Sequence, residues 1–272
     1  MKRTRTPAKQ QRFAAPAAAP WRTAVLAASL GALGALIAFA PAAWLAHGVQ
    51  EASGGRVLLA DPQGSIWRGS AQLLLAGGAG AADAAALPGR IDWRLRPFQH
   101  GARVALNLPC CAEKALDVKI MPSWSQVALV VDNSARVNLP ASWLSGLGAP
   151  WNTLDPRGQL SLSSQALQVQ FDRRYTKLGG QITLDLLGMS SRLSTLSPLG
   201  DYRLNVNGGD VPTMALQTLQ GALQLSGSGQ FVGSRIRFTG EATASPEQQD
   251  ALSNVLNIIG RRQGAKSIIS LG

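Results

Sequence analysis

From Arg56 onward, apolar and polar residues alternate with a period of two. In "RIDWRLRPF", Ile91, Trp93 and Leu95 fall on one face, and Arg90, Asp92, Arg94 and Arg96 on the other. The same rhythm recurs at Val104-Leu106-Leu108, Val127-Leu129-Val131, Leu167-Val169-Phe171, Ile182-Leu184-Leu186, Tyr202-Leu204-Val206, Leu223-Leu225 and Ile236-Phe238. Turn-forming clusters separate the runs: "LPGR", "VDNSA", "DPRGQ", "KLGGQ", "NVNGGD" and "SGSGQ". Many short strands at near-regular spacing predict a mainly β, antiparallel structure. One apolar face per strand means a sheet curled on itself or two sheets stacked as a sandwich.

Helical periodicity is confined to a few places. Near the C-terminal end, "SPEQQDALSNVLNIIGRR" carries an apolar stripe at Ala251, Leu252, Val255, Leu256 and Ile259. Ser245 with Gln248 has the form of a capping box, Pro246 suits the first turn and Gly260 the end. This short helix is expected to cover one end of the sheet. "PASWLSGLG", from Pro140 to Gly148, is a second short candidate, and "GGAGAADAAALPG", from Gly77 to Gly89, reads as a flexible loop. "DPQGSIWRGSAQLLL" at 61–75 is echoed by "DPRGQLSLSSQALQV" at 155–169, which ordinary hairpin chemistry largely explains.

A different pattern precedes the strands. The 24 residues from Thr23 to Ala46 carry no charge. As a helix at about 1.5 Å per residue they would reach about 36 Å, enough to span a hydrocarbon core of about 30 Å. Trp21 and Trp44 stand near its ends, where an aromatic belt belongs, and Pro41 is placed to kink or end it. The composition then gains meaning. The net charge is +11, yet six of the 26 basic residues precede Thr23 and no acidic residue occurs before Glu51. By the positive-inside rule this places 1–22 as a cytoplasmic basic tail, 23–46 as a single transmembrane anchor, and 47–272 as a β-rich domain in the periplasm. The remaining charges are scattered, so the basicity reports topology and nucleic acid is not expected as a partner.

The chemistry of an active site is hard to assemble. A catalytic triad would need His100, and no motif ties a serine to it. The carboxylates are separated and mostly flank turns, and neither a phosphate-binding nor a dinucleotide-binding fingerprint occurs. Cys110 and Cys111 are adjacent, which suits a vicinal disulfide or two thiols at a strand end, not a metal site. No catalytic residue, cofactor or metal is expected, and the chain does not read as an enzyme. Interaction residues are sought instead at tryptophans beside turns. These are Trp67 with Arg68 in "DPQGSIWRGS", and Trp143 and Trp151 in Pro/Gly loops. Asp61-Pro62-Gln63-Gly64 has turn composition, and Gly69 is expected to permit a bulge that re-aims the chain around Trp67.

Three stretches together resemble the type II secretion system protein N family of Gram-negative bacteria: "SGGRVLLADPQGSIWRGSAQLLL", the Gly-rich hairpins of the middle, and "RFTGEATASPEQQDALSNVLNIIGRRQGAKSIISLG". The resemblance covers most of 21–272. It implies an inner-membrane, non-enzymatic component of the apparatus that exports folded proteins across the outer membrane. Its partners would be other subunits of that apparatus. One-sided, Gly-punctuated sheets behind a single helix also resemble AsmA-like and lipopolysaccharide-bridge proteins, for which the apolar faces would line a lipid path.

Overall fold

The computed structural model describes residues 21–131, 136–172, 176–232 and 235–272. The chain divides into two compact units between Ala40 and Pro41. In the first, helix α1 (Trp21–Ala38) presents Val25, Leu26, Leu30, Leu33, Leu36 and Ile37 as exposed side chains, so it is apolar all round. Within 23–46 the helix is interrupted at Pro41, the residue placed to kink or end it. Pro41 has no N–H to donate, and its ring disfavours helical backbone in the residue before it. The helix therefore stops at Ala38, and α2 (Ala42–Ala52) begins beyond the proline. No helix among the described residues is long and apolar enough to cross a membrane.

The second unit opens with α2 and is otherwise built on one sheet. Its first half contains β1 (Val57–Gly64), β2 (Arg68–Ala76), β3 (Ala84–Ala86), β4 (Ile91–Phe98), β5 (Gly101–Asn107), β6 (Leu116–Pro122), β7 (Gln126–Val131) and β8 (Arg136–Pro140). A 3-10 segment (Ala141–Leu147) and one-turn α3 (Trp151–Leu154) follow. The second half contains β9 (Arg157–Asp172), β10 (Thr176–Ser190), β11 (Gly200–Gly209), β12 (Thr213–Gly221), β13 (Leu223–Val232) and β14 (Arg235–Ala244). Helix α4 (Gln249–Ile259), β15 (Arg261–Gln263) and β16 (Lys266–Leu271) complete it. All sixteen strands belong to a single antiparallel sheet. Its order, β1-β2-β4-β5-β6-β7-β9-β10-β11-β12-β13-β14-β16-β15, nearly follows the chain, with β3 added to β2 and β8 to β9.

The curled sheet, and not the sandwich, is the architecture. Leu59 and Leu73 of β1 and β2 pack in one cluster with Val137, Leu139 and Leu162 of β8 and β9. Four strands stand between β2 and β9 in the sheet, so only curling brings these side chains together. The inner face is apolar: Leu162, Leu184, Leu204 and Leu216 stand opposite one another across β9 to β12. The outer face carries Gln224, Ser226, Ser228 and Gln230 on β13, all exposed. The loop expected over 77–89 contributes β3, because the backbone of Ala84–Ala86 completes a ladder with β2.

The core lies toward one rim of the sheet. Leu160, Met189, Leu199, Tyr202, Leu223 and Ala242 are buried there beneath Leu252, Val255 and Leu256 of α4. Each such α4 side chain contributes about 1.5–3 kcal/mol by leaving water. The buried Ser267 hydroxyl donates to the Leu256 carbonyl and ties the helix to β16. The start of α4 differs from the expected capping box. Ser245 Oγ bonds the Gln248 side chain at 3.2 Å, Pro246–Gln248 forms a 3-10 turn, and Gly260 is extended.

The Tyr202 hydroxyl is buried and has no hydrogen-bond partner among the described residues. Burial, followed by the nearby Asp201 carboxylate, pushes its pKa well above the ordinary tyrosine value. Above about pH 10 the unfolded chain therefore releases a proton that the folded chain keeps, and stability falls as pH rises. Tyr202→Phe is expected to equal the parent at pH 7, or to exceed it by up to about 1 kcal/mol. It should lose less stability than the parent between pH 9 and pH 11, as read by urea denaturation.

Candidate functional site

The expected interaction residues fall at two opposite ends of β2. The chain of β1 contains a bulge at Asp61-Pro62, where the register to β2 shifts between Ala60 and Gln63. Asp61 adopts a left-handed conformation there (φ 46°), and the turn itself comes later, over 64–69. The echo at 155 is of the same local kind, since Asp155 also has φ 44° before its proline, though it ends α3 instead of bulging a strand. Arg90 secures the bulge: Nη1 donates to Asp61 Oδ2 at 2.7 Å and Nη2 to the Asp61 carbonyl at 2.6 Å.

Trp93, and not Trp67, anchors the corner. Trp93 is 2% exposed. Its indole N–H donates to the Ser65 and Ile66 carbonyls, both at 3.2 Å. Gly69 makes no bulge, since its pairing with β1 and β4 is regular, and a Cβ there would run into the Trp93 ring and the Gln63 carbonyl. The glycine is the floor on which the indole lies. Trp67 is half-buried and its carbonyl accepts the Leu95 N–H at 2.8 Å, extending the β2–β4 ladder. Arg68 is exposed, directly opposite Arg94.

Trp143 and Trp151 lie at the other end of β2. In the 3-10 segment, Gly146 sits so close to the Leu75 carbonyl and Ala85 that no side chain fits. Trp143 packs half-buried against the Leu87–Ile91 cluster, and Trp151 is exposed on α3. The four residues therefore do not form one surface. Cys110 and Cys111 are joined by a disulfide in the β5–β6 loop, with Cys111 buried in the same cluster as Trp143.

Several carboxylates act in the ladder, not at turns. Asp185 binds Arg203 through two contacts of 2.6 and 3.0 Å across the outer face, which raises the guanidinium above its ordinary pKa. Asp201 accepts the Gly188 N–H and the Gln220 amide, each at 2.6 Å. Among the described residues no cluster of His, Cys, Asp and Glu could hold a metal ion. An open polar cleft of ≈ 430 Å³ lies between β9, β10 and β11, lined by Gln168, Gln170, Lys177 and the Gly179-Gly180 and Gly208-Gly209 backbones.

Two features escaped the reading of the sequence. Trp124 stands wholly exposed at the β6–β7 turn, and Phe98 and Phe171 are exposed at neighbouring turns. A tryptophan flanked by serines in "PSWSQ" was the available signal. The second feature is the gradient along the inner face: Tyr202 is buried, whereas Leu204, Val206, Met214 and Leu216 above it are only half-buried.

Trp93→Ala should cost about 3–5 kcal/mol in chemical denaturation and speed hydrogen exchange over 61–70. Arg68→Ala, which removes an exposed side chain, should stay within about 0.5 kcal/mol of the parent.

The model of the family described as "Type II secretion system (T2SS), protein N" matches residues 55–268. No curated protein and no solved structure matches the chain.

Proposed function

The chain belongs to the type II secretion system protein N family and is thus a component of that secretion system; from this premise we propose that it acts without catalysis, by docking another subunit in the periplasm. The observation that carries this reading is the sheet's second edge. Residues Ile269–Leu271 of β16 pair with Gly240–Phe238 of β14 on one side, while β15 covers only Lys266–Ile268 on the other. An extended segment of a partner can continue the ladder there by strand addition. The first edge is less suited, since β1 is broken by its bulge and packed against α2. A photocrosslinking residue at Ser270 is expected to capture a secretion subunit in cells, and a control at Gln224 on the outer face is not. Deletion of the gene should reduce export of secreted enzymes without altering envelope lipids.

A second reading has its own observation. The half-buried apolar stretch of the inner face around Val206 and Met214 would suit an acyl chain, as in a lipid-handling protein. Unchanged secretion together with a lipid defect in the deletion strain would favour it.

We place the N-terminal segment at the inner membrane, with its basic tail cytoplasmic and the sheet periplasmic. Supporting this are the all-round apolar surface of α1 and the basic residues that precede Thr23. The protein should resist carbonate extraction from membranes, and protease added outside spheroplasts should degrade the sheet. Release by carbonate would count against membrane attachment.

A further inference from the structure

Five hairpin turns of the sheet, separated along the chain by connections at the other rim, open on the same rim, opposite the core. Strand registers fix this. Phe98 pairs with Gly101, Pro122 with Val127, Phe171 with Thr176, Asn207 with Thr213, and Val232 with Arg235. The neighbouring ladders bring these turns side by side: Val127 stands opposite Phe171, Leu178 opposite Gly209, and Thr213 opposite Gln230. Phe238 opposite Leu271 adds the end of β16 to the row.

Exposed apolar side chains of this unit concentrate on that rim: Phe98, Trp124, Phe171, Val211, Val232 and Leu271. They lie in separate turns or at strand ends, beyond the buried core. Cations stand behind them on the strands. Arg96 is two residues behind Phe98, and Arg237 two residues behind the β13–β14 turn. At about 3.3 Å per residue, that sets the backbone of each arginine about 7 Å behind the rim, with its guanidinium within reach of it. Asp172 and Asp210 are the acidic residues at the turns themselves. Farther back, Arg68 and Arg94 face one another directly, a like-charge pair that costs stability unless an anionic surface offsets it.

We infer that this rim rests on a bilayer containing anionic phospholipid, with the apolar turns in the headgroup–acyl boundary and the arginines at the phosphates. The dimensions agree: interfacial side chains enter about 5–10 Å. The connection of the chain agrees as well. Pro41, where this unit begins, bridges to Ser65 in the β1–β2 turn. That turn opens on the same side, because Arg68 pairs with Arg94 and β4 runs on from there to Phe98. The first residue of this unit therefore lies on the rim side of the sheet. A protein partner at the rim is the competing occupant, and it is decided by the test below.

The inference rests on the proposed attachment of the chain to the membrane. The full-length protein is reconstituted into phosphatidylethanolamine–phosphatidylglycerol bilayers, with Phe98→Cys, Trp124→Cys, Val232→Cys or, as control, Gln224→Cys carrying a nitroxide. The native cysteines, bonded to each other, take no label. The rim labels are expected to shift toward collision with oxygen over a water-soluble nickel chelate, and the control is not. Rim labels as open to nickel as the control would overturn the inference. So would rim labels shielded from both reagents only after other secretion subunits are added, which would assign the rim to protein. Carbonate extraction of the same vesicles separates the two ideas, since protein that stays bound while its rim is open to water refutes only the rim. The labelled positions are exposed, so folding survives the substitutions.

Discussion

A one-sided sheet of this width must find something for its apolar face, and here it finds itself. The cluster that Leu59 and Leu73 share with Leu139 and Leu162 is what turns the ribbon of strands into a folded unit. Everything else is arranged around that curl. The 3-10 segment and β8 fill its interior, α4 covers the C-terminal stretch, and α2 covers Ala71 and Trp93. Because β8, the 3-10 segment and α4 come from connections at one rim, the core thins toward the other. The strands continue past the core by several residues, and their turns stand free of it.

Glycine under an aromatic ring is the recurring device that lets strands approach within this curl. Gly69 lies beneath Trp93, and Gly227 and Gly240 lie beneath Phe238. In each case the ring takes the volume that a side chain would need, and it restores the burial that a glycine strand lacks. Such positions look like flexible punctuation in a sequence. In the folded sheet they are among its most constrained places.

How legible the structure was follows from the range of the interactions involved. Period-two alternation marked the strands from "RIDWRLRPF" to "RIRF" because it is a property of neighbouring residues, and the Leu252–Val255–Leu256 stripe marked α4 for the same reason. What alternation does not say is whether one sheet or two forms, since that depends on Leu59 joining the same cluster as Leu162, about a hundred residues away. The corner at 61–70 was read as a turn at Asp61 with a bulge at Gly69, and the order is reversed. Only the distant Trp93 and Arg90 fix it. A tryptophan beside a turn has the same local signature whether it is buried or exposed: Trp143 is half-buried, whereas Trp124 is wholly exposed. The alignment of Phe98, Trp124 and Phe171 on one rim is a consequence of register, which no single stretch contains.

The strand order carries a consequence for how the molecule comes into being. Almost every ladder joins segments that follow one another along the chain, so no early strand must wait for a late one. Loop-closure entropy stays small at each step, and the sheet can lengthen by one hairpin at a time as the polypeptide is presented from its N-terminal end. During such growth the newest strand is always an unpaired margin, apolar on one side and open to association. Arg90 over Asp61 and the Asp61-Pro62 bulge blunt the margin formed first, while the one formed last is covered only in part, by the three residues of β15.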